Sequence, residues 1–156
     1  MRTGVRLGVD VGKVRVGVAV CDRDGLVATP VATLTRGVPT VTEIVALLTE
    51  YEAVEAVVGL PLSLKGDDTA STADARLLAA ELAALAIVPV RLVDERLSTV
   101  SAQRALHQSG RSVKGSRAVI DQVAAVIILQ NALDAERSSG RPPGILVEPN
   151  QGRPTA

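Results

Sequence analysis

Three valine-rich runs separated by two turn signals fill the first 34 residues, and few folds accept such an opening. Residues 4–11 (GVRLGVDV) and 14–21 (VRVGVAVC) read as strands, because β-branched side chains pack well on a pleated surface. Gly12 and Lys13 form the tight turn between them. Asp22–Gly25 (DRDG) is a second turn, ending on the Asp-Gly hairpin dipeptide. Residues 26–34 (LVATPVATL) give a third strand, in which Pro30 marks an edge or a bulge because it cannot donate to a ladder. The opening is therefore a three-stranded antiparallel meander.

The period then changes. Val41, Ile44, Val45, Leu47 and Leu48 recur at helical spacing within 39–51. Residues 54–59 (VEAVVG) read as a buried strand, followed by a loop to Asp68 that holds Pro61 and Gly66. Thr69 or Ser71 caps a helix over 71–85, and residues 88–95 form a fifth strand. Ser98 opens a helix to about Ser109, 110–116 (GRSVKGS) is a loop, and 117–136 is the last long helix. The stretch 137–156 holds Pro142, Pro143, Pro149 and Pro154 and reads as an irregular, flexible tail. The order is β-β-β-α-β-α-β-α-α. It predicts one α/β domain over 1–136, built on a five-stranded mixed sheet. Three strands form the meander, two are parallel, and helices cover both faces. Ligand sites in such sheets lie at the carboxyl ends of the strands.

Three acids stand where an apolar chain should avoid them. Asp10 follows Val5–Val9, Glu95 closes Val88–Val93, and Asp121 lies in the helical run Ala118–Ile128. A carboxylate among buried apolar groups costs several kcal/mol unless it is paired, hydrogen-bonded or bound to a metal. Each has a structural alternative: a turn acid for Asp10, and an arginine-paired or dipole-favoured acid for Asp121. Asp94 and Glu95 both end their strand, and alternation cannot decide which one faces a site, because both faces look buried. Arg96 is placed to neutralise the other. Asp121 shares its helix face with Ala118, Ala124, Ala125 and Ile128, small neighbours that let the helix lie close to the sheet. Together the three acids point to a shared site for Mg²⁺ or Mn²⁺, hard cations that prefer carboxylate oxygen. The chemistry such a trio supports is phosphodiester hydrolysis, with two ions roughly 4 Å apart activating water and stabilising the departing oxygen.

Other residues offer less. His107 reads as a helix C-terminal residue, and Cys21 as a small core residue with no histidine to activate it. A single cysteine allows no internal disulfide. Aromatics make up 1% of the chain, which argues against base-stacking recognition. Formal net charge is zero, so a nucleic-acid partner would need basic groups clustered on one face. With neither a signal peptide nor an uncharged span of roughly 18 apolar residues, the expectation is a cytoplasmic protein with no membrane partner.

Five stretches together resemble the YqgF, or RuvX-type, family, whose members are named for Holliday junction resolution and for pre-16S rRNA cleavage. They are GVDVGKVRVGVAVCD (8–22), ATP (28–30), VVGLPLSLKG (57–66), VDERLSTVSA (93–102) and IDQVAAVIILQNALD (120–134). The resemblance implies a ribonuclease H-like nuclease domain in which Asp10, Glu95 and Asp121 are the catalytic metal ligands, and it favours Glu95 over Asp94. It further implies that Lys13, Arg15, Arg96, Ser98 and Thr99 shape the site or meet phosphate. Cys21 departs from the serine many relatives carry.

The expected partner is nucleic acid: structured or single-stranded RNA, or branched DNA. Lys13, Arg15, Arg96, Thr99, Arg111, Lys114 and Arg117 are the candidate contacts, in the segments around the acids. Processing of the 16S ribosomal RNA precursor at its 5′ end leads, with junction or single-strand DNA cleavage as the alternative. Either a monomer or a homodimer fits. Two readings compete. Asp10-Val11-Gly12 before a hairpin also resembles the first phosphate loop of sugar-kinase and actin-like ATPases, but those repeat the sheet in a second domain and this chain has one copy. The other is a catalytically silent nucleic-acid-binding module that retains its acids without using them.

Overall fold

The computed structural model describes residues 1–97 and 116–148. The strands are β1 (Arg6–Val11), β2 (Arg15–Cys21), β3 (Ala28–Thr35), β4 (Glu55–Leu60), β5 (Val90–Asp94) and β6 (Ile145–Leu146). The α-helices described are α1 (Thr40–Glu50), α2 (Ala70–Leu85) and α3 (Ser116–Ser139), and a 3₁₀ turn spans Glu95–Leu97. One sheet orders them β3-β2-β1-β4-β5-β6. β1 pairs antiparallel with β2 and parallel with β4, and β4 pairs parallel with β5. This is the mixed sheet expected from the sequence, with one strand more.

Alternation divides the core. Leu7, Val9 and Val58 face α1 and α2, where Ile44, Leu48, Leu78 and Leu82 fill the layer. Ala19, Val57 and the α3 residues Ala125, Ile128 and Leu129 form the opposite layer. Each fully buried leucine or isoleucine contributes roughly 1.5–3 kcal/mol, which lets an almost purely aliphatic core hold the fold. β4 is buried along its whole length, as a central parallel strand must be. Pro30 sits on the edge strand, and the β2–β3 register shifts beside it, with Val18 opposite Ala32 and Ala19 opposite Pro30. Thr69, not Ser71, caps α2: its hydroxyl accepts from the Thr72 N–H, and the Thr72 hydroxyl accepts from the Thr69 N–H at 2.9 Å.

Three expectations are corrected. The sheet has six strands, not five, because Ile145–Leu146 pairs antiparallel with β5. Within the expected irregular tail, α3 continues to Ser139, and Gly140 then stops it in a left-handed conformation (φ 73°). Val147 is buried and donates its N–H to Val90 O at 2.8 Å. Prolines give this segment an irregular look, yet Ile145, Leu146 and Val147 supply what the open edge of β5 needs. Finally, β5 ends at Asp94, and Glu95 begins the 3₁₀ turn rather than closing the strand. The helix expected from Ser98 to about Ser109 and the loop 110–116 up to Gly115 lie outside the described residues. Among the described residues, no helix is long and apolar enough to cross a membrane.

Below the sheet's amino ends lies a buried ion network that sequence reading did not single out. Glu55 accepts from Arg2 at 3.0 and 3.1 Å and from Arg91 Nε at 2.7 Å. Glu136 accepts from Arg2 Nη2 at 2.7 Å and from Arg6 Nη2 at 3.2 Å. These pairs join the N-terminal segment, three strands and the end of α3 on the side away from the strands' carboxyl ends.

Candidate active site

Asp10 lies at the carboxyl end of β1 and is 2% exposed. Leu7 and Val9 point to the α1/α2 layer, whereas a side chain at Gly8 would meet Leu129 and Ala125 of α3. Asp10, two residues beyond Gly8, therefore faces α3. Its neighbour on β2 is Gly17. On β4 the register pairs Val9 with Val58, so the next residue, Gly59, flanks Asp10 on the other side.

These two glycines admit the other two acids. A Cβ at Gly17 would lie 2.1 Å from the Asp121 carbonyl oxygen and 3.2 Å from the Asp121 Cβ. At Gly59 it would lie 2.9 Å from Glu95 Oε2 and 2.6 Å from Ile128 Cδ1. Facing positions on adjacent strands are roughly 5 Å apart. Asp121 and Glu95 thus flank Asp10 over neighbouring strands. Buried Ala124 and Ala125 keep α3 close to the sheet.

The acids differ in their surroundings. Glu95 is 5% exposed. Asp94, partly exposed, accepts from Arg96 through the backbone N–H at 2.9 Å and through Nη2 at 2.7 Å. That guanidinium holds the Asp94 carboxyl below its ordinary range. Arg96 therefore neutralises Asp94, and the 3₁₀ turn directs Glu95 to the α3 side over Gly59. Asp121 accepts from Arg15 Nε at 3.0 Å, with 31% of the arginine side chain and 20% of the aspartate exposed. Among the described residues, no three His, Cys, Asp or Glu side chains are gathered closely enough to hold a metal ion as they stand.

Of the basic candidates, Lys13 is exposed on the β1–β2 turn and Arg15 opens β2. Arg96 lies against the turn at Gly66, where a Cβ would come within 2.9 Å of its Nη1 and the backbone is left-handed (φ 89°). Arg117 is in the first turn of α3, but its side chain lies outside the described residues, as do Ser98, Thr99, Arg111 and Lys114 entirely. Cys21 is a core residue: burial pushes its thiol up, and its sulfur accepts the Arg6 N–H at 3.2 Å.

Four residues around the site went unnoticed in the sequence. Gly17 and Gly59 interrupt valine-rich strands, and a glycine inside a strand signals close approach by another group. Arg36 donates to Gly12 O at 2.9 Å and binds Asp74 of α2 in bidentate fashion at 2.8 Å. It ties the turn that follows Asp10 to the helix layer. No local pattern announces that pair. Beside Glu95 opens a cavity of about 550 Å³, bounded by Leu62, Asp94, Ile128, Asn131 and the β6 segment at Ile145.

A family model described as "RuvX: Holliday junction resolvase" matches residues 4–135. A protein of Clavibacter michiganensis named "Putative pre-16S rRNA nuclease" is 57% identical over 157 residues, which cover 99% of this chain and 98% of that one. A protein of the same name in Streptomyces coelicolor is 56% identical over 151 residues, covering 95% of this chain and 90% of its own. Among solved structures, "T. thermophilus RuvC in complex with Holliday junction substrate" aligns with a TM-score of 0.49 at 15% identity, covering 92% of this chain and 99% of that one. Matched from residue 4 to residue 135, and more than half identical to proteins of its own length, this chain belongs to the RuvX family.

Proposed function

We propose that this protein is a divalent-metal-dependent nuclease that hydrolyses phosphodiester bonds, acting in the cytoplasm on the 5′ end of the 16S ribosomal RNA precursor. One observation carries the reading. Asp10 is flanked by two glycines: Gly17 makes room for the backbone of Asp121 and Gly59 for the carboxylate of Glu95. Carboxylates carried to neighbouring positions on one face of the sheet offer the oxygen donors that divalent cations prefer.

By chemistry, though not by the spacing seen here, the donor set suits Mg²⁺ or Mn²⁺. It is all carboxylate oxygen, and the cleared space over Gly59 holds Glu95 Oε2 toward the Asp10 side of the sheet. Asp10, Glu95 and Asp121 would hold the ions. A divalent ion there supplies Lewis acidity and a water of lowered pKa. The chain's own residues do the rest. The Arg36 clamp fixes the turn that follows Asp10 and carries exposed Lys13, a candidate contact for a substrate phosphate. The relatives named for pre-16S rRNA favour an RNA substrate. The family description favours a second reading, cleavage of branched DNA, which would require two active sites and hence a homodimer, whereas an RNA trimmer works as a monomer.

The test compares precursor rRNA, single-stranded RNA, single-stranded DNA and four-way junctions at matched salt with Mg²⁺ or Mn²⁺. Fastest cleavage of precursor rRNA is expected. Preference for junctions moves the assignment to the second reading, and no cleavage of any substrate with Mn²⁺ present overturns the nuclease. Two glycine substitutions probe the geometry separately. Gly59→Ala meets only the ends of flexible side chains, so it should cost less than about 1 kcal/mol of stability while displacing Glu95 and lowering kcat. Gly17→Ala meets a helix carbonyl that cannot turn aside, so it should cost about 1–3 kcal/mol. Thermal unfolding and kcat measured on both variants check the contrast; equal stability losses would contradict it.

A further inference from the structure

We propose that the first two turns of α2 brace the two loops leaving the carboxyl ends of β1 and β4, with Arg36 and Thr72 as positioning residues that fix the spacing between Asp10 and the Gly59–Glu95 side of the site. The inference rests on the proposed catalytic roles of Asp10 and Glu95. It goes beyond them by naming residues that act on the reaction only through the backbone they hold.

The need for a brace follows from the ladder. β1 and β4 pair in parallel up to Val9 and Val58, and the register ends there. Asp10 and Gly59 are the next residues, just past the last paired positions, and the Glu95 carboxylate lies against Gly59. Two residues further on, both strands have become loops, at Gly12 and at Pro61. Carbonyls at such strand ends have lost their ladder partners and need other donors. α2 holds both donors. Arg36 donates through Nη1 to Gly12 O at 2.9 Å, and its fork lies on Asp74 of α2 with two contacts of 2.8 Å. The Arg36 backbone N–H also donates to Val14 O at 2.8 Å, so the β1–β2 turn is gripped at two points. On the other loop, the hydroxyl of Thr72, which is fully buried, donates to Pro61 O. Thr72 and Asp74 stand two residues apart on one helix, which fixes the distance between the two grips. α2 packs on the face of the sheet opposite α3, toward which Asp10 points, so the brace reaches the acids through the backbone alone. An arginine fork on a carboxylate has a set geometry, and a shift of about 1 Å in a reacting group can cost about a hundredfold in rate.

The experiment measures kcat and KM on whichever nucleic acid wild type cuts fastest with Mn²⁺, at a temperature well below every Tm, and amide exchange at Gly12 in the same proteins without substrate or metal. The variants are Arg36→Lys, Asp74→Asn, Thr72→Val, Thr72→Ser and the double variant Arg36→Lys/Thr72→Val. Glu136→Gln serves as a destabilised control, because its change lies at the amino ends of the sheet. Arg36→Lys keeps the charge but not the fork, so kcat should fall about tenfold or more while KM changes less than about threefold. Asp74→Asn should act in the same direction. Exchange at the Gly12 N–H, which bonds to Arg15 O at 2.9 Å, should quicken in both. Thr72→Val should also lower kcat, and Thr72→Ser, which keeps the hydroxyl, should retain it. Both grips serve one spacing, so the double variant should lose less than the product of the single losses. Glu136→Gln should melt lower and keep its kcat. Wild-type kcat and unchanged Gly12 exchange in Arg36→Lys and Asp74→Asn overturn the brace and leave the nuclease standing, as do kcat losses that Glu136→Gln shares. If Thr72→Val does not fold, the Arg36 and Asp74 variants decide alone. If wild type cleaves nothing, the catalytic reading fails and the brace falls with it.

Discussion

Asp10→Asn removes cleavage of every substrate by about a thousandfold or more and leaves the fold in place. The size follows from what the carboxylate is asked to do. Ion-mediated stabilisation of transition-state charge contributes several kcal/mol, and each 1.36 kcal/mol is a factor of ten in rate. The survival of the fold follows from the surroundings. Asp10 is 2% exposed, and the isosteric amide keeps its volume and leaves no cavity. Tm should stay within a few degrees of wild type. The same panel of RNA and DNA substrates with Mn²⁺, together with a thermal melt, measures both halves. Undiminished cleavage would remove Asp10 from the chemistry. A collapse in Tm alongside lost activity would make its role structural.

The strands and the acids were legible for one reason: both follow short-range rules. Valine runs and Asp-Gly turns are local, and an acid ending an apolar run is conspicuous wherever it occurs. The choice between Asp94 and Glu95 was not legible, because the chain leaves the strand at Asp94 and enters a 3₁₀ turn, so alternation stops applying one residue before the choice matters. Family resemblance favoured Glu95 by its motif; the structure adds that Arg96 is spent on Asp94. The gatekeeping glycines were visible as residues but not as causes, since what they admit comes from a helix about a hundred positions away in one case and from the next strand's end in the other. β6 was hidden for the opposite reason. Its two residues carry too little pattern to outweigh the prolines around them, and its existence depends on β5 presenting an edge. The Arg36–Asp74 clamp and the ion network at the amino ends escaped notice because charged residues far apart in the chain look like solvated surface until the fold brings them together.

That network carries the other large effect. Glu136→Gln should lower stability at pH 7 by about 3–5 kcal/mol, the range for removing one partner from buried charges. At this chain length that corresponds to a Tm loss on the order of 10 °C. Glu136 is 2% exposed and answers two arginines. Arg6 is 1% exposed, and among the described residues its Nε has no hydrogen-bond partner, so its charge depends on what reaches the other nitrogens. Besides Glu136, these donate to the backbone carbonyls of Arg2 and Gly4, which carry no compensating charge. Acid should reproduce the substitution. Hydrogen bonds from Arg2 hold the Glu136 carboxyl down from 4.5 to about 2. A group depressed in the folded state contributes stability that is full above its unfolded value and disappears as the pH falls through its folded value. The wild-type advantage over Glu136→Gln should therefore hold above pH 4.5, shrink from there to pH 2 and vanish below. Melting curves for both proteins across that range test it, with Arg76→Gln as a reference, since the Arg76–Asp68 pair is about half exposed and should be worth less than about 1 kcal/mol. A gap that stays constant with pH would mean that Glu136 contributes by packing, and a gap at pH 7 no larger than that of the reference would mean that the buried network does not hold the amino ends of the sheet together.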